Sequence, residues 1–573
     1  MRAPAWISVA VAAVLVLGAC ASIPDSGPVE EGNADVSPVE PLVPIQEGPD
    51  PSDGPEAIVT GFLTAAAGGI ATDFSVAREF LTTDAARSWD PGAQTVVYDS
   101  GAAAPEWDAE TRTVSYELPL ATLVDESGRR VDATDGQVAS IAFTVAQVDG
   151  EWRISELDDG VVISAANFNR FYRSVALVFT ATDREVVVPE LRWLPDNNVA
   201  TSAARELLEG PSTWLADAVV TGFPATAALA VESVVVADGT ATVDLTPQSA
   251  GTPEERALAN EQLRLTLTAL PAVSEVDVRI GGLPISAASA IELEAPPVPD
   301  EVASAFVAGR LGVWDGEALW VTPASAGGVT DGAGLARSYD GSTSAWIQAG
   351  GALVASDVLG GDVVLVEADG ELEDTAEAVA SETLYSGRSL VAPTYDRHGY
   401  VWTAERSGSG GLVAVAPDGT AVPLPAEWLQ ARAITGVSMS RDGARLAVTS
   451  RAGGQPVLEV VGVVRDQSGA PTGLGEPVVI GTGVGVGLDV VWIDTTTVGV
   501  LGEPEEGSQS RLWSVQVGGG TTVALSVSNA ADLTVRSGET SLVVIDAEGQ
   551  ALERSGTSWA PLTAGATELA YAG

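Results

Sequence analysis

From Glu301 to Gly573 the chain runs in short valine-rich stretches with almost no helical periodicity, broken by Asp-Gly pairs at Asp315, Asp331, Asp340, Asp369, Asp418 and Asp442. Each pair beside a short apolar run marks a tight turn: glycine accepts a positive φ without strain, and an aspartate side chain hydrogen-bonds its own backbone. Short strands joined by tight turns can hide their apolar faces only as several packed antiparallel sheets. The same stretch holds 8 of the 14 tryptophans, so it has the aromatic bulk for an extended β core. With 46% hydrophobic and 18% charged residues, the chain as a whole is composed to fold.

The clearest repeat is Val437-Ser438-Met439-Ser440-Arg441-Asp442-Gly443-Ala444-Arg445-Leu446-Ala447-Val448. It resembles the strand, Ser-x-Asp-Gly turn and strand unit of bacterial β-propellers. Pro393 to Trp402 reads as a divergent copy and Gly487 to Ile493 as a fainter one. At roughly 40 to 45 residues per blade the stretch fits five to seven blades, and a pair of β-sandwiches is the alternative.

Two further pieces precede it. From Glu56 to Asn169, apolar residues at Ile58, Val59, Phe62, Leu63 and Ala66 have helical spacing, and a second helical stretch holds Phe74 to Leu81. Alternation then predicts strands at 111–118, 137–148 and 152–157, with Asp149-Gly150 as a hairpin turn. This α+β layout resembles the NTF2-like fold, with Trp152 read as a core residue and Asp158-Asp159 as a turn. From Ser174 to Ile291 the spacing predicts strands at 175–179, 186–192, 231–236, 240–245 and 276–280. Helices are predicted at 200–208 and 253–270. Leu207-Leu208-Glu209-Gly210-Pro211, Asp238 to Leu245 and Leu265 to Pro271 stand at places that resemble the GerMN domain, an α/β module. The polar faces of the second helix (Glu254, Glu255, Arg256, Asn260, Glu261, Arg264) read as solvated salt pairs.

At the start, Arg2 is followed by an apolar run from Ala5 to Leu17, short for a membrane span of ~20 residues and suited to a signal-peptide core. Leu17-Gly18-Ala19-Cys20 resembles the lipobox of bacterial lipoproteins, which implies a diacylated mature chain beginning at Cys20. That residue is the only cysteine in the sequence. Residues 23–55 carry eight prolines, eight acidic residues and no basic one, a composition that stiffens and extends a tether. The expected boundaries are 1–19 signal peptide, 20–55 tether, 56–173 α+β domain, 174–291 GerMN-like domain, 292–300 linker and 301–573 β-propeller.

Chemistry is constrained by what is missing. All 28 basic residues are arginine, so lysine-dependent phosphate loops and Schiff-base catalysis are excluded. The net charge of -50 opposes nucleic-acid binding. No G-x-S-x-G elbow occurs, and the single histidine, His398, lies in an Asp-Arg-His-Gly turn and reads as structural. The residues point to no enzyme, no cofactor and no metal. Lipobox, acidic spacer, α+β domain, GerMN-like module and propeller together resemble the LpqB family of actinobacterial lipoproteins. That resemblance implies anchoring at the outer face of the cell membrane and an accessory role toward the sensor kinase MtrB of the MtrA-MtrB two-component system, affecting envelope and division. A peptidoglycan- or glycan-binding envelope protein is the competing expectation.

Overall fold

The computed structural model describes residues 47–99, 104–134, 136–285, 291–307, 310–321, 332–358, 364–365, 381–407, 411–505, 507–527 and 529–573. The signal peptide, the lipobox and most of the tether lie outside the described residues. Residues 46–573 form a single unit.

The first sheet places strands Glu151–Glu156, Val138–Val148, Thr113–Asp125, Gln94–Tyr98 and Val161–Ser164 side by side. The last pair is parallel and the others antiparallel. Helix Pro55–Gly69 buries Ile58, Val59 and Phe62 against it, where they meet Trp89, Phe143 and Ile154. The Asp149-Gly150 turn forms as predicted, with positive φ at both residues. The second helical stretch is shorter than its periodicity suggests. Phe74 adopts φ 59 beside Gly69, so the helix starts only at Ser75 and ends at Glu79. A further helix, Thr83–Ser88, carries little apolar signal and is set by its cap, the Thr82 hydroxyl accepting from the Ala85 amide.

The second piece has a three-stranded sheet centred on Tyr172–Ala181 and a four-stranded sheet in the order Val235–Ala237, Thr240–Leu245, Glu275–Ile280 and Leu283–Pro284. Helix Val199–Glu209 ends where Gly210 takes φ 97, as the Leu-Leu-Glu-Gly-Pro string requires. Helix Pro253–Thr268 opens on a capping box in which Glu255 N donates to Thr252 Oγ1 at 3.2 Å and Thr252 N donates to Glu255 Oε2 at 2.7 Å. Its polar residues divide. Arg264 pairs with Glu261 at 2.6 Å, while Gln262 is fully buried and links Gly222 N to Val178 O. The strand predicted at 231–236 is reduced to Val235–Ala237, because the Val234 amide donates to Thr201 Oγ1 instead of joining the ladder.

Among the described residues the C-terminal region forms a propeller of six sheets, within the expected range of five to seven. Their innermost strands are Ala566–Ala570, Ala333–Arg337, Thr394–Tyr395, Ala433–Met439, Val486–Trp492 and Ala530–Val535. Each contacts the next around a closed ring. Blade one is closed by the C-terminal strand Ala566–Ala570 pairing antiparallel with Ala303–Val307, so first and last segments share a sheet. In blades two to five an aspartate sits at the turn after the innermost strand: Asp340, Asp396, Asp442 and Asp494, each accepting backbone amides through Oδ1. The repeat is spatially regular although its spacing in sequence is not.

Candidate functional site

Cys20, Leu17, Gly18 and Ala19 lie outside the described residues. Among the described residues the chemistry gathers on the propeller face formed by the turns after the innermost strands. Strand Val187–Pro195 of the second piece joins that face through both its backbone and its side chains. The Pro189 carbonyl accepts from Arg445 Nη1 at 3.1 Å, and Trp193 Nε1 donates to the Gly518 carbonyl at 2.8 Å. Glu190 and Arg192 pair at 3.0 Å while both are buried. Arg192 also donates to Ser212 Oγ at 2.9 Å and to the Ser127 carbonyl of the first piece at 2.9 Å. Burial pushes the nearby Glu206 carboxyl up to about 7; Glu209 adds to this and Arg192, at 3.8 Å, opposes it.

Helix Thr213–Ala216 presses against bare backbone in blade four. A Cβ added at Gly462 or Gly475 would lie 2.7 or 2.6 Å from the Trp214 carbonyl oxygen, so only glycine permits this approach. A single apolar cluster runs from Leu177 and Trp214 through Leu458 and Val460 to Trp492 and Val515, which makes the second piece and the propeller share one core.

His398 stands at the edge of this contact. Its Nε2 is 3.9 Å from Asp183, and Arg397 beside it ion-pairs with the same aspartate and with Glu185. A Cβ at Gly469 would fall 2.5 Å from His398 Nδ1, so the ring is packed over the blade-four turn. Burial, with Arg465 and Arg397 nearby, holds its pKa below the ordinary range. The His398 backbone amide donates to Asp396 Oδ1 at 2.9 Å, and the ring sits between the Asp183 carboxylate and the Gly469 turn at the contact of the two pieces.

Beside His398, between blades two and three, opens a cleft of about 570 Å³. Its walls include the turn from Ser338 to Thr343, Tyr395, His398, and the exposed carboxylates Asp357 and Glu382. Burial pushes the Tyr395 phenol up to about 12, with Asp340 and Asp357 adding to the effect while a hydrogen bond with Thr343 at 3.2 Å opposes it. No tryptophan lines this cleft, and Trp314, Trp346, Trp402, Trp492 and Trp513 are all buried. The aromatic residues that line the cleft are Tyr339 and Tyr395.

The propeller axis carries a second group. Asp489, Asp532 and Glu568 project from the innermost strands of blades five, six and one, and each reaches a backbone amide of the following blade. Asp489 accepts from Leu533 N at 3.0 Å, Asp532 faces the Leu569 amide, and Glu568 accepts from Gly334 N at 3.1 Å and Leu335 N at 2.7 Å. Burial raises all three above the usual carboxylate range, Asp489 and Glu568 being raised further by Asp532. For Glu568 the value is about 8. A carboxyl raised on folding contributes stability that is complete below its unfolded value near 4.5 and is lost as pH climbs through about 8. Glu568→Gln keeps the accepting oxygen and removes the ionisation. Melting curves between pH 5 and 9 should show the wild type losing stability on the order of a few kcal/mol more than the variant. Equal pH slopes would contradict the assignment.

Three of these features were out of reach of sequence reasoning. Arg445 was visible only as part of a turn unit, and the blade-to-blade carboxylates follow no local motif. The cleft is made by turns distant in sequence, so no spacing marks it. The one usable signal was a charged residue inside an otherwise apolar strand, as at Asp489, Asp532 and Glu568.

Comparison with known proteins followed the same three pieces. Residues 48–169 match the family model described as Lipoprotein LpqB, N-terminal domain. Residues 175–286 match Sporulation and spore germination, and residues 309–569 match Lipoprotein LpqB beta-propeller domain. The chain is 32% identical over 323 residues to Lipoprotein LpqB of Thermobifida fusca, an alignment covering 53% of this chain and 49%, about half, of that relative. It is 27% identical over 493 residues to Lipoprotein LpqB of Bifidobacterium longum, covering 82% of this chain and 81% of that one. Among solved structures it is similar to the first GerMN domain of the sporulation protein GerM from Bacillus subtilis, at 23% identity and a TM-score of 0.17 over 20% of this chain and 85% of that one.

Proposed function

The chain belongs to the LpqB family of actinobacterial lipoproteins, and from that premise we propose that it is held at the outer face of the cell membrane by a diacylglyceryl group on Cys20, where it binds and modulates a sensor histidine kinase of the MtrA-MtrB type. Through that kinase it influences envelope and division responses. The observation that carries the reading is the joint between the second piece and the propeller. Two modules known separately share one core and a buried Arg445 bond, so a partner meets a fixed surface instead of two independent domains. The Pro-rich acidic tether holds that surface near the membrane and raises its effective concentration at a membrane-embedded partner. A net charge of -50 favours a basic patch on the partner and a salt-sensitive association rate.

The test is a titration of the full chain in detergent micelles against the sensor's extracytoplasmic domain. Saturable binding with a Kd of about 100 µM or tighter, weakening as salt is raised, is the expected result. No binding at that concentration contradicts the reading.

A further inference from the structure

We propose that Glu206 is a proton-operated latch between the first and second pieces, keeping the turn at 125–129 gripped while its carboxyl is protonated and loosening it once the carboxyl ionises. The site holds one guanidinium and two carboxylates, all from the second piece and all buried. Arg192 donates through Nη2 to Glu190 Oε2 at 3.0 Å and through Nη1 to the Ser127 carbonyl of the first piece at 2.9 Å. Glu190 also accepts from the Ser212 amide at 3.1 Å and from Trp214 Nε1 at 3.3 Å. Three donors fix the negative charge on Glu190. Glu206 is left as a second carboxylate beside a cation already engaged. Its Oε2 is shielded from solvent, has no hydrogen-bond partner and stands 3.8 Å from Arg192 Nη1.

The charged groups that face Glu206 come from three elements. Glu209 and Arg205 lie on its own helix, Arg192 and Glu190 on strand Val187–Pro195, and Asp125, paired with Arg129, on the turn of the first piece. Burial, with the like charges of Glu209 and Asp125, outweighs the two arginines, so the carboxyl titrates at about 7, within the range where the protein must work.

Ionisation acts on the turn in two ways that share one direction. The unpaired Oε2 draws Arg192 Nη1 away from the Ser127 carbonyl, and the new charge repels Asp125. The turn then keeps the bond from the Trp193 amide to the Gly128 carbonyl at 2.7 Å, but loses the grip of the guanidinium. A carboxyl raised in the closed arrangement stabilises it fully below the ordinary value of 4.5, and that stabilisation is lost as pH climbs through about 7. If release returns Glu206 to the ordinary carboxylate range, opening of the turn becomes roughly tenfold more favourable between about pH 6 and pH 8.5.

Hydrogen exchange of the full chain in detergent micelles, corrected for the intrinsic pH dependence of exchange, reads this opening. Between those two pH values, protection of the amides at 125–131 and of Trp193 should fall roughly tenfold relative to residues 113–119 of the same piece. Glu206→Gln keeps the shape of the side chain and cannot ionise, so protection should hold at its pH 6 level. Glu568→Gln, at the propeller axis, should leave the fall in place and so separates the latch from the axial carboxyls. The proposal is overturned if the unaltered protein shows no relative fall, if the fall persists in Glu206→Gln, or if Glu568→Gln abolishes it. The first comparison uses the unaltered protein, so it does not depend on how either variant folds.

Discussion

Arg445→Met should lower the stability of the folded chain by about 3–5 kcal/mol, the usual cost of leaving one member of a buried ion pair without its partner. Arg445 is 1% exposed and forms an ion pair with Asp442. It also donates to the Thr495 carbonyl at 2.6 Å and to the Pro189 carbonyl at 3.1 Å, and lies over the Trp492 ring at 4.8 Å. Methionine preserves much of the stem's packing but leaves Asp442 charged and buried with two carbonyls unpaired. Because Pro189 belongs to the second piece and Thr495 to blade five, the loss should also uncouple them. Denaturant unfolding followed by tryptophan fluorescence is expected to change from one transition to two. Arg129→Met, at an exposed pair with Asp125, should cost less than about 1 kcal/mol. A similar small effect at Arg445 would show that the joint between the modules does not depend on this buried ion pair.

The second large effect concerns location and leaves the fold untouched. Cys20→Ala should release the protein from the membrane pellet into the soluble fraction while its melting temperature stays unchanged. Two acyl chains give stable attachment where one is marginal, each buried CH₂ contributing ~0.8 kcal/mol. The sequence has no second cysteine to take the lipid instead. No described helix is long and apolar enough to cross a membrane. Undiminished retention of the variant after washing with high salt would remove the anchoring role from Cys20.

How far the sequence discloses the molecule depends on how local each cause is. Turns were legible because their chemistry sits in two adjacent residues: Asp149-Gly150, Asp238-Gly239 and Asp442-Gly443 all turn as read. The helix ending at Gly210 was legible for the same reason, since only glycine takes its φ of 97 without strain. The length of the strand ending at Ala237 was not, because Thr201 competes for the Val234 amide from another element. Blade number was obscured because blades differ in loop length while the aspartate turns keep their place in space. Candidate site residues were the least legible. Arg445 finds a partner 256 residues away, and Asp357 and Glu382 become neighbours only through strand register.

Mass spectrometry of the intact chain purified from the membrane tests the anchoring claim most directly. The account predicts a polypeptide beginning at Cys20, with a mass increased by a diacylglyceryl group carried as a thioether on that residue. A chain retaining residues 1–19, or one with an unmodified Cys20 thiol, would contradict it.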